Sequence, residues 1–270
     1  MRTRGALAAI GLAAAVVAAH AQEPSFDVAS VKVNTSGAAV SRISAPEKTG
    51  RFDATNAPLR VLILSAYRIA GFQLTGGPSW IDSLRVDIAA RTAARATRDE
   101  IERMLRVLLA ERFRLVVRRD TREMPVYALT VAREDKRLGP RLRATTADCA
   151  AAATGAPVPP ATPGQLLCNT RMTPTSINAG SMSMTRLAAT LTGIVGRRVT
   201  DDTQLSGTYD LQLAFTPELP PPAAAVPPSA DADAPSIFTA LQEQLGLRLT
   251  ATRGPVDVLV IESVDRPTPD

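Results

Sequence analysis

Apolar residues along this chain fall at helical spacing in four places and alternate with polar ones in between. Leu59, Leu62, Ile63, Ala66 and Tyr67 follow an i, i+3, i+4, i+7, i+8 pattern. This predicts a helix with Asn56 as its cap and Pro58 in the first turn, where a missing N–H loses no partner. Phe72-Gln73-Leu74 reads as a strand, Gly76-Gly77-Pro78 as a turn, and Val86-Asp87-Ile88-Ala89 as a second, alternating strand. Thr97-Arg98-Asp99-Glu100 is a capping box opening a helix with Ile101, Met104, Leu105, Leu108 and Leu109 on one face. Phe113 to Val117 and Val126 to Val131 then read as a hairpin joined around Met124-Pro125.

The same order returns about 125 residues later by sequence comparison. A helix capped by Ser183 carries Met184, Leu187, Ala188 and Leu191 on one face, and Val199-Thr200-Asp201 follows as a strand. Leu205-Ser206-Gly207 is a turn, Tyr209 to Phe215 an alternating strand, and Ile237 to Gln244 a helix ended by Gly246. Leu247-Arg248-Leu249 is expected to pair with Val256 to Ile261 across Gly254-Pro255, so that Leu247 answers Phe113 and Val256 answers Val126. The expected fold class is α+β: two related α-β-β-α-β-β subdomains whose small mixed or antiparallel sheets pack on helices, preceded by a strand at Phe26 to Val33. The expected organisation is residues 1–21 as a signal peptide and 22–145 as the first subdomain. A disulfide-closed Ala/Pro-rich connector at 146–180 and a second subdomain at 181–270, with a Pro-rich loop at 217–235, complete it.

Composition narrows the class. With 270 residues, 45% hydrophobic and 21% charged, the chain can bury a real core, and it has no collagen or coiled-coil signature. Met1-Arg2-Thr3-Arg4, the apolar stretch Ala6 to Ala19 and the small residues of Ala19-His20-Ala21 read as a cleaved export signal. The apolar stretch is shorter than the ~20 residues that span a bilayer. No integral membrane segment is therefore expected in the mature chain, which is placed in the periplasm or outside the cell. Cleavage takes away Arg2 and Arg4, so 31 basic residues against 26 acidic become 29 against 26, a net charge of +3. The basic residues are almost all Arg, with only Lys32, Lys48 and Lys136 as exceptions. No nucleic-acid partner is expected. Cys149 and Cys168 are the only cysteines and flank Ala150 to Gly164; in an oxidising compartment they read as one disulfide. Closing such a loop stabilises a fold by about 3 kcal/mol.

Cleavage also removes His20, the only histidine, and with it every His-based triad, metal site or general base. No Gly-x-Ser-x-Gly elbow, phosphate-binding loop, dinucleotide fingerprint or Ser-x-x-Lys occurs. No catalytic residue, metal site or cofactor is therefore assigned. Paired carboxylates remain, since two acids suffice for a glycosidase. The nearest pair, Asp201-Asp202, is adjacent on a strand and points to opposite faces. Asp231 and Asp233 lie in a Pro/Ala tract that reads as a solvated linker or a cap.

Three features invite a binding role. Trp80, the only tryptophan, follows the Gly-Gly-Pro turn and stands either as an aromatic anchor for a partner or as a plug between sheet and helix. Arg112, Arg114 and Arg118 alternate along the expected strand around Phe113 to Val117, as a grip for an anionic envelope component or as a solvated face balanced by Glu111, Asp120 and Glu123. Asp210, and Asp87 as its counterpart, are expected on an exposed sheet face open to a partner.

Phe26 to Lys32, Gly76 to Ile81, Leu108 to Leu115, Pro125-Val126-Tyr127, Leu205 to Leu211 and Ala240 to Leu247 together resemble the uncharacterised soil-associated protein family. The resemblance implies an exported domain of unknown function, some related domains being joined to membrane-embedded sensor-peptidases, and brings no catalytic residues. Each half is also similar to the short N-terminal domains of secretins and TonB-dependent receptors, which implies binding to other proteins. The expectation is an exported, non-catalytic envelope interaction or sensing module, whose partner is an envelope protein or an anionic envelope component. The alternative is a carboxylate-dependent envelope hydrolase or carbohydrate-binding protein.

Overall fold

Thr97 does what its motif demands. In a computed structural model of the protein, its hydroxyl accepts from the Glu100 N–H while the Glu100 carboxylate accepts from the Thr97 N–H, and a helix runs from Arg98 to Phe113. The structure describes residues 24–46, 48–145, 147, 149, 168–216 and 235–267. The expected export signal and cleavage site, and most of the two Pro/Ala-rich stretches, lie outside these residues. The chain divides into two compact units. One comprises the residues up to Tyr67, Trp80–Arg114 and those from Asp265; the other comprises Arg68–Ser79 and Leu115–Val264.

In the first unit, strands β1 (Val28–Val33), β2 (Arg42–Ser44), β3 (Arg51–Pro58) and β5 (Arg85–Arg91) form an antiparallel sheet in the order β1-β5-β3-β2. Strand β4 (Leu74–Gly76) belongs to the second unit. Helix α1 (Leu59–Tyr67) packs on α3 (Arg98–Phe113), and a short α2 (Trp80–Ser83) lies between them in sequence. The spacing that predicted α1 and α3 reports their buried faces: Leu59, Leu62, Ile63 and Ala66 on one, Ile101, Leu105, Leu108 and Leu109 on the other. Asn56 is not the cap of α1. It sits inside β3 at φ 52°, and its side chain donates instead to the carbonyls of Ala38 and Val40.

The second unit corrects the hairpin expectation. Met124-Pro125 and Gly254-Pro255 are not turns; each lies within one long strand, β6 (Val116–Val131) and β12 (Leu247–Ser263). These two strands pair antiparallel along their whole length, from Val116 opposite Ser263 to Val131 opposite Leu247. Each segment expected to fold back into a hairpin therefore runs on as one strand and pairs with the other. Strand β10 (Val199–Asp201) adds parallel to β6 and β4 parallel to β12, completing a sheet in the order β10-β6-β12-β4. The strand expected from Phe113 also begins later, because α3 runs through Phe113 and stops at Arg114 in the left-handed conformation.

A second sheet in this unit holds β7 (Leu142–Thr145), β8 (Thr170–Thr173), β9 (Ser176–Met182) and β11 (Thr208–Ala214) in the order β7-β11-β9-β8. Raising each strand number of β1-β5-β3-β2 by six gives this order. Helix α4 (Met184–Val195), capped by Ser183, and α5 (Ile237–Ala240), prolonged by a wider turn over Leu241–Leu245, cover a core built on Leu187, Leu191, Leu211, Leu213, Phe215 and Leu241. The chain leaves that turn through Gly246 at φ 69° and passes so close to Gly139 that a Cβ there would lie 2.3 Å from the Gln244 carbonyl oxygen.

Candidate functional site

The sequence-selected binding residues do not form one constellation. Trp80 opens α2, is partly buried, and receives the Arg266 guanidinium 5.4 Å from its ring centroid. The three arginines do not alternate along one strand, because the helix takes in Arg112 and ends at its cap, Arg114. Arg112, in the last turn of α3, donates to the Ala29 carbonyl of β1 at 3.3 Å; Arg114 is the exposed left-handed cap; only Arg118 is on β6. There Arg118 and Arg122 flank Asp120 at 3.2 Å each, and Arg118 also meets Glu262 at 3.3 Å. The Arg122 hydrogen bond, with Arg118 behind it, holds the Asp120 carboxyl below its ordinary value. Two guanidiniums and two carboxylates cancel, which is a balanced strand face rather than a bare cationic one.

Asp87 and Asp210, expected to be exposed, have a different task. Strand β3 bulges against β5 between Ala54 and Ala57, and β9 against β11 between Tyr209 and Leu211. At the first bulge Asn56 stands at φ 52° and donates its N–H to Asp87 Oδ1 at 2.8 Å; at the second Ser181 stands at φ 55° and donates to Asp210 Oδ1 at 3.0 Å. An extra residue leaves the ladder unpaired, and in each case the carboxylate of the neighbouring strand takes its N–H. The bulges also tie down the connector that precedes them: Asn56 through Ala38 and Val40, Ser181 through its hydroxyl 3.4 Å from the Ala147 carbonyl. Cys149 and Cys168 form the expected disulfide, and it lines a small cavity with Ser181 and Arg186.

Asp201 is similarly engaged. Its Oδ1 accepts from the Thr203 N–H and hydroxyl, and its Oδ2 from the Thr185 hydroxyl at 3.1 Å. Thr185 begins a stripe of α4 that continues through Ala188, Ala189 and Thr192 and faces the whole of β10 across a groove of about 470 Å³, with Phe72 and Gln73 at its margin. The sequence marks β10 only as a short strand. Nothing local reveals that it is the outermost strand of its sheet, or that α4 runs beside it. Among the described residues no cluster of three or more His, Cys, Asp or Glu side chains is placed to hold a metal ion. No described helix is long and apolar enough to cross a membrane.

The family model described as "Protein of unknown function (DUF3738)" matches residues 60–264. The chain belongs to this family. The DUF3738 match takes in Trp80, the three arginines, the disulfide, the acids of both bulges and the groove along β10, and it begins after β1, β2 and β3. Neither the curated proteins nor the solved structures give a match. No relative's name therefore supports the likeness to secretin or TonB-dependent receptor domains.

Proposed function

We propose that this DUF3738 chain is an exported, non-catalytic interaction or sensing module of the cell envelope, composed of two related halves, that acts by binding another protein. The observation that carries this reading is the commitment of four carboxylates, those of the two bulges, the β10 turn and the β6 face. Asp87 and Asp210 each take a backbone N–H at a bulge, Asp201 closes a turn and Asp120 pairs two arginines. A hydrolase needs two facing acids that are free to exchange a proton with substrate, and these acids are fixed to their own backbone or to arginine. The sheets are small, and each ends in strands whose outer backbone groups are the natural material for protein recognition. Exposed Val28 and Val33 on β1, at 70% and 47%, supply apolar surface on one such strand. The disulfide is in keeping with an oxidising compartment, and the two matching strand orders support an internal repeat.

The test is affinity capture from a native envelope extract with the disulfide-intact chain from Gln22, with Trp80→Ala as a companion. Enrichment of one envelope protein, repeated with purified components, is the expected result. Failure to retain any protein, together with turnover of envelope glycans, would overturn the reading and move attention to chemistry. Loss of capture by Trp80→Ala in a protein with unchanged melting would place the contact at α2.

A further inference from the structure

Strand β10 is terminal in its sheet, so one of its two backbone edges is satisfied by β6 and the other is not. The hydrogen bonds identify which groups lie on which side. The Arg198 carbonyl accepts from the Tyr127 N–H, and the Asp202 N–H donates to the Leu129 carbonyl, both at 2.9 Å. In a parallel ladder this places residues 198, 200 and 202 toward β6 and turns the N–H and C=O of Val199 and Asp201 the other way. The Val199 N–H indeed points outward, where the Thr192 hydroxyl accepts it at 2.9 Å. The Val199 carbonyl and the Asp201 N–H remain, one peptide unit apart, facing the groove between β10 and α4. A parallel strand bonds to such a pair, the residue opposite Thr200 donating to one and accepting from the other.

The walls suit an extended chain. On the helix side Thr192 caps the Val199 N–H at one end of the edge, and beyond it the exposed Ala189 is a small side chain that leaves the groove open beside the rest of β10. Phe72 offers a ring for one apolar side chain. The groove's volume of about 470 Å³ falls within the ~300–1,000 Å³ common for binding sites. The charge is directional. Arg198 is exposed and makes no ion pair among the described residues, whereas Asp201 at the far end already accepts from Thr185 and Thr203. A free guanidinium beside a strand edge is complementary to a carboxylate on the incoming chain.

We infer that this groove binds an extended, acid-bearing peptide segment of the partner protein, which adds as a fifth strand outside β10 and sets a carboxylate against Arg198. The inference rests on the reading of the chain as a protein-binding module and gives that reading its site. Main-chain bonds to the Val199 carbonyl and the Asp201 N–H supply the register, Phe72 and Ala189 take one apolar side chain, and Arg198 selects for acid.

The experiment uses the full chain with its disulfide intact and an array of random decapeptides, half containing Asp or Glu and half containing neither. Solution titration of the strongest binders and hydrogen exchange at the Asp201 amide follow. Acid-bearing peptides are expected to bind and to slow exchange at Asp201. Ala189→Trp fills the groove from an exposed helix position and is expected to abolish binding. Arg198→Glu is expected to weaken it by roughly tenfold or more, the size of one charge-assisted hydrogen bond. Arg171→Glu on β8 is expected to leave it unchanged. The inference is overturned if no peptide binds, if acid-free peptides bind equally well, or if Ala189→Trp and Arg198→Glu bind as the parent does. A partner captured equally by the parent and by both variants removes the groove and leaves the binding-module reading standing. An extract in which the parent captures nothing, while peptides still bind as described, keeps the groove and removes the envelope partner.

Discussion

Two residues in the left-handed region, Asn56 and Ser181, explain why an acid recurs at Asp87 and Asp210. A non-glycine side chain at φ near +50° is held there only by compensating contacts, and the carboxylate that accepts each bulge N–H is the shared one. Asn56 is almost fully buried, at 3% exposure. Asp87→Ala therefore leaves its N–H without an acceptor and is expected to destabilise the protein by about 1–3 kcal/mol in a denaturant melt. Asp87→Asn, which keeps an acceptor oxygen, loses less. Ser181→Gly relieves the backbone and is expected to melt within a degree or two of the parent, on the order of a few tenths of a kcal/mol, while Ser181→Val is destabilising. The alternation of Val86 to Ala89 and of Tyr209 to Leu213 places these acids opposite the apolar side chains, and that much is legible in the sequence. What is not legible is the positive φ on the neighbouring strand, a property of the register between strands rather than of either segment. Arg112 carries the same lesson, since its place on a strand or a helix depends on where α3 ends.

Elements whose signals are local were the readable ones. The capping box at Thr97 and Glu100 spans four residues and fixes the start of α3 without outside help. Thr97→Ala is expected to destabilise the protein by about 1 kcal/mol, read from thermal unfolding. The hydrogen bonds from Thr97, its backbone N–H foremost, lower the Glu100 pKa below the ordinary glutamate value. The cap therefore stabilises the fold in full above that ordinary value, and its contribution fades as the pH falls through the lowered one. An acid melt should show a small loss in this range that Glu100→Gln removes; equal pH dependence in both proteins would contradict the assignment. Met124-Pro125 and Gly254-Pro255 are turn-like by composition, and a hairpin was the local expectation. Whether such a segment turns or continues is decided by the strand it meets, and here that strand lies more than a hundred positions away in sequence. The groove beside β10 was hidden for the same reason, because strand order belongs to the sheet and not to the segment.

Across the molecule, the ribbon of β6 and β12 makes each half of the sequence the completion of the other. Residues 24–145 and 168–267, produced apart, are each left with one unpartnered strand of this ribbon. Each is expected to be poorly folded and aggregation-prone alone. Together they are expected to regain the far-ultraviolet circular dichroism and the single melt of the full chain. Two separately stable halves would show that the ribbon is dispensable to either. Pairing at such separation is slow to form, so the full chain is expected to refold more slowly than its size alone would indicate. The register of the ribbon also sets how it answers a mechanical load. Val116 and Ser263 face each other at one end of it. Tension applied at those two residues meets the pairs one at a time, as a zipper, and peels the ribbon at low force. The same pull applied at Val116 and Leu247, at opposite ends, loads all the pairs in shear and is resisted collectively. A chain held at two points would thus yield or hold according to where the grips lie.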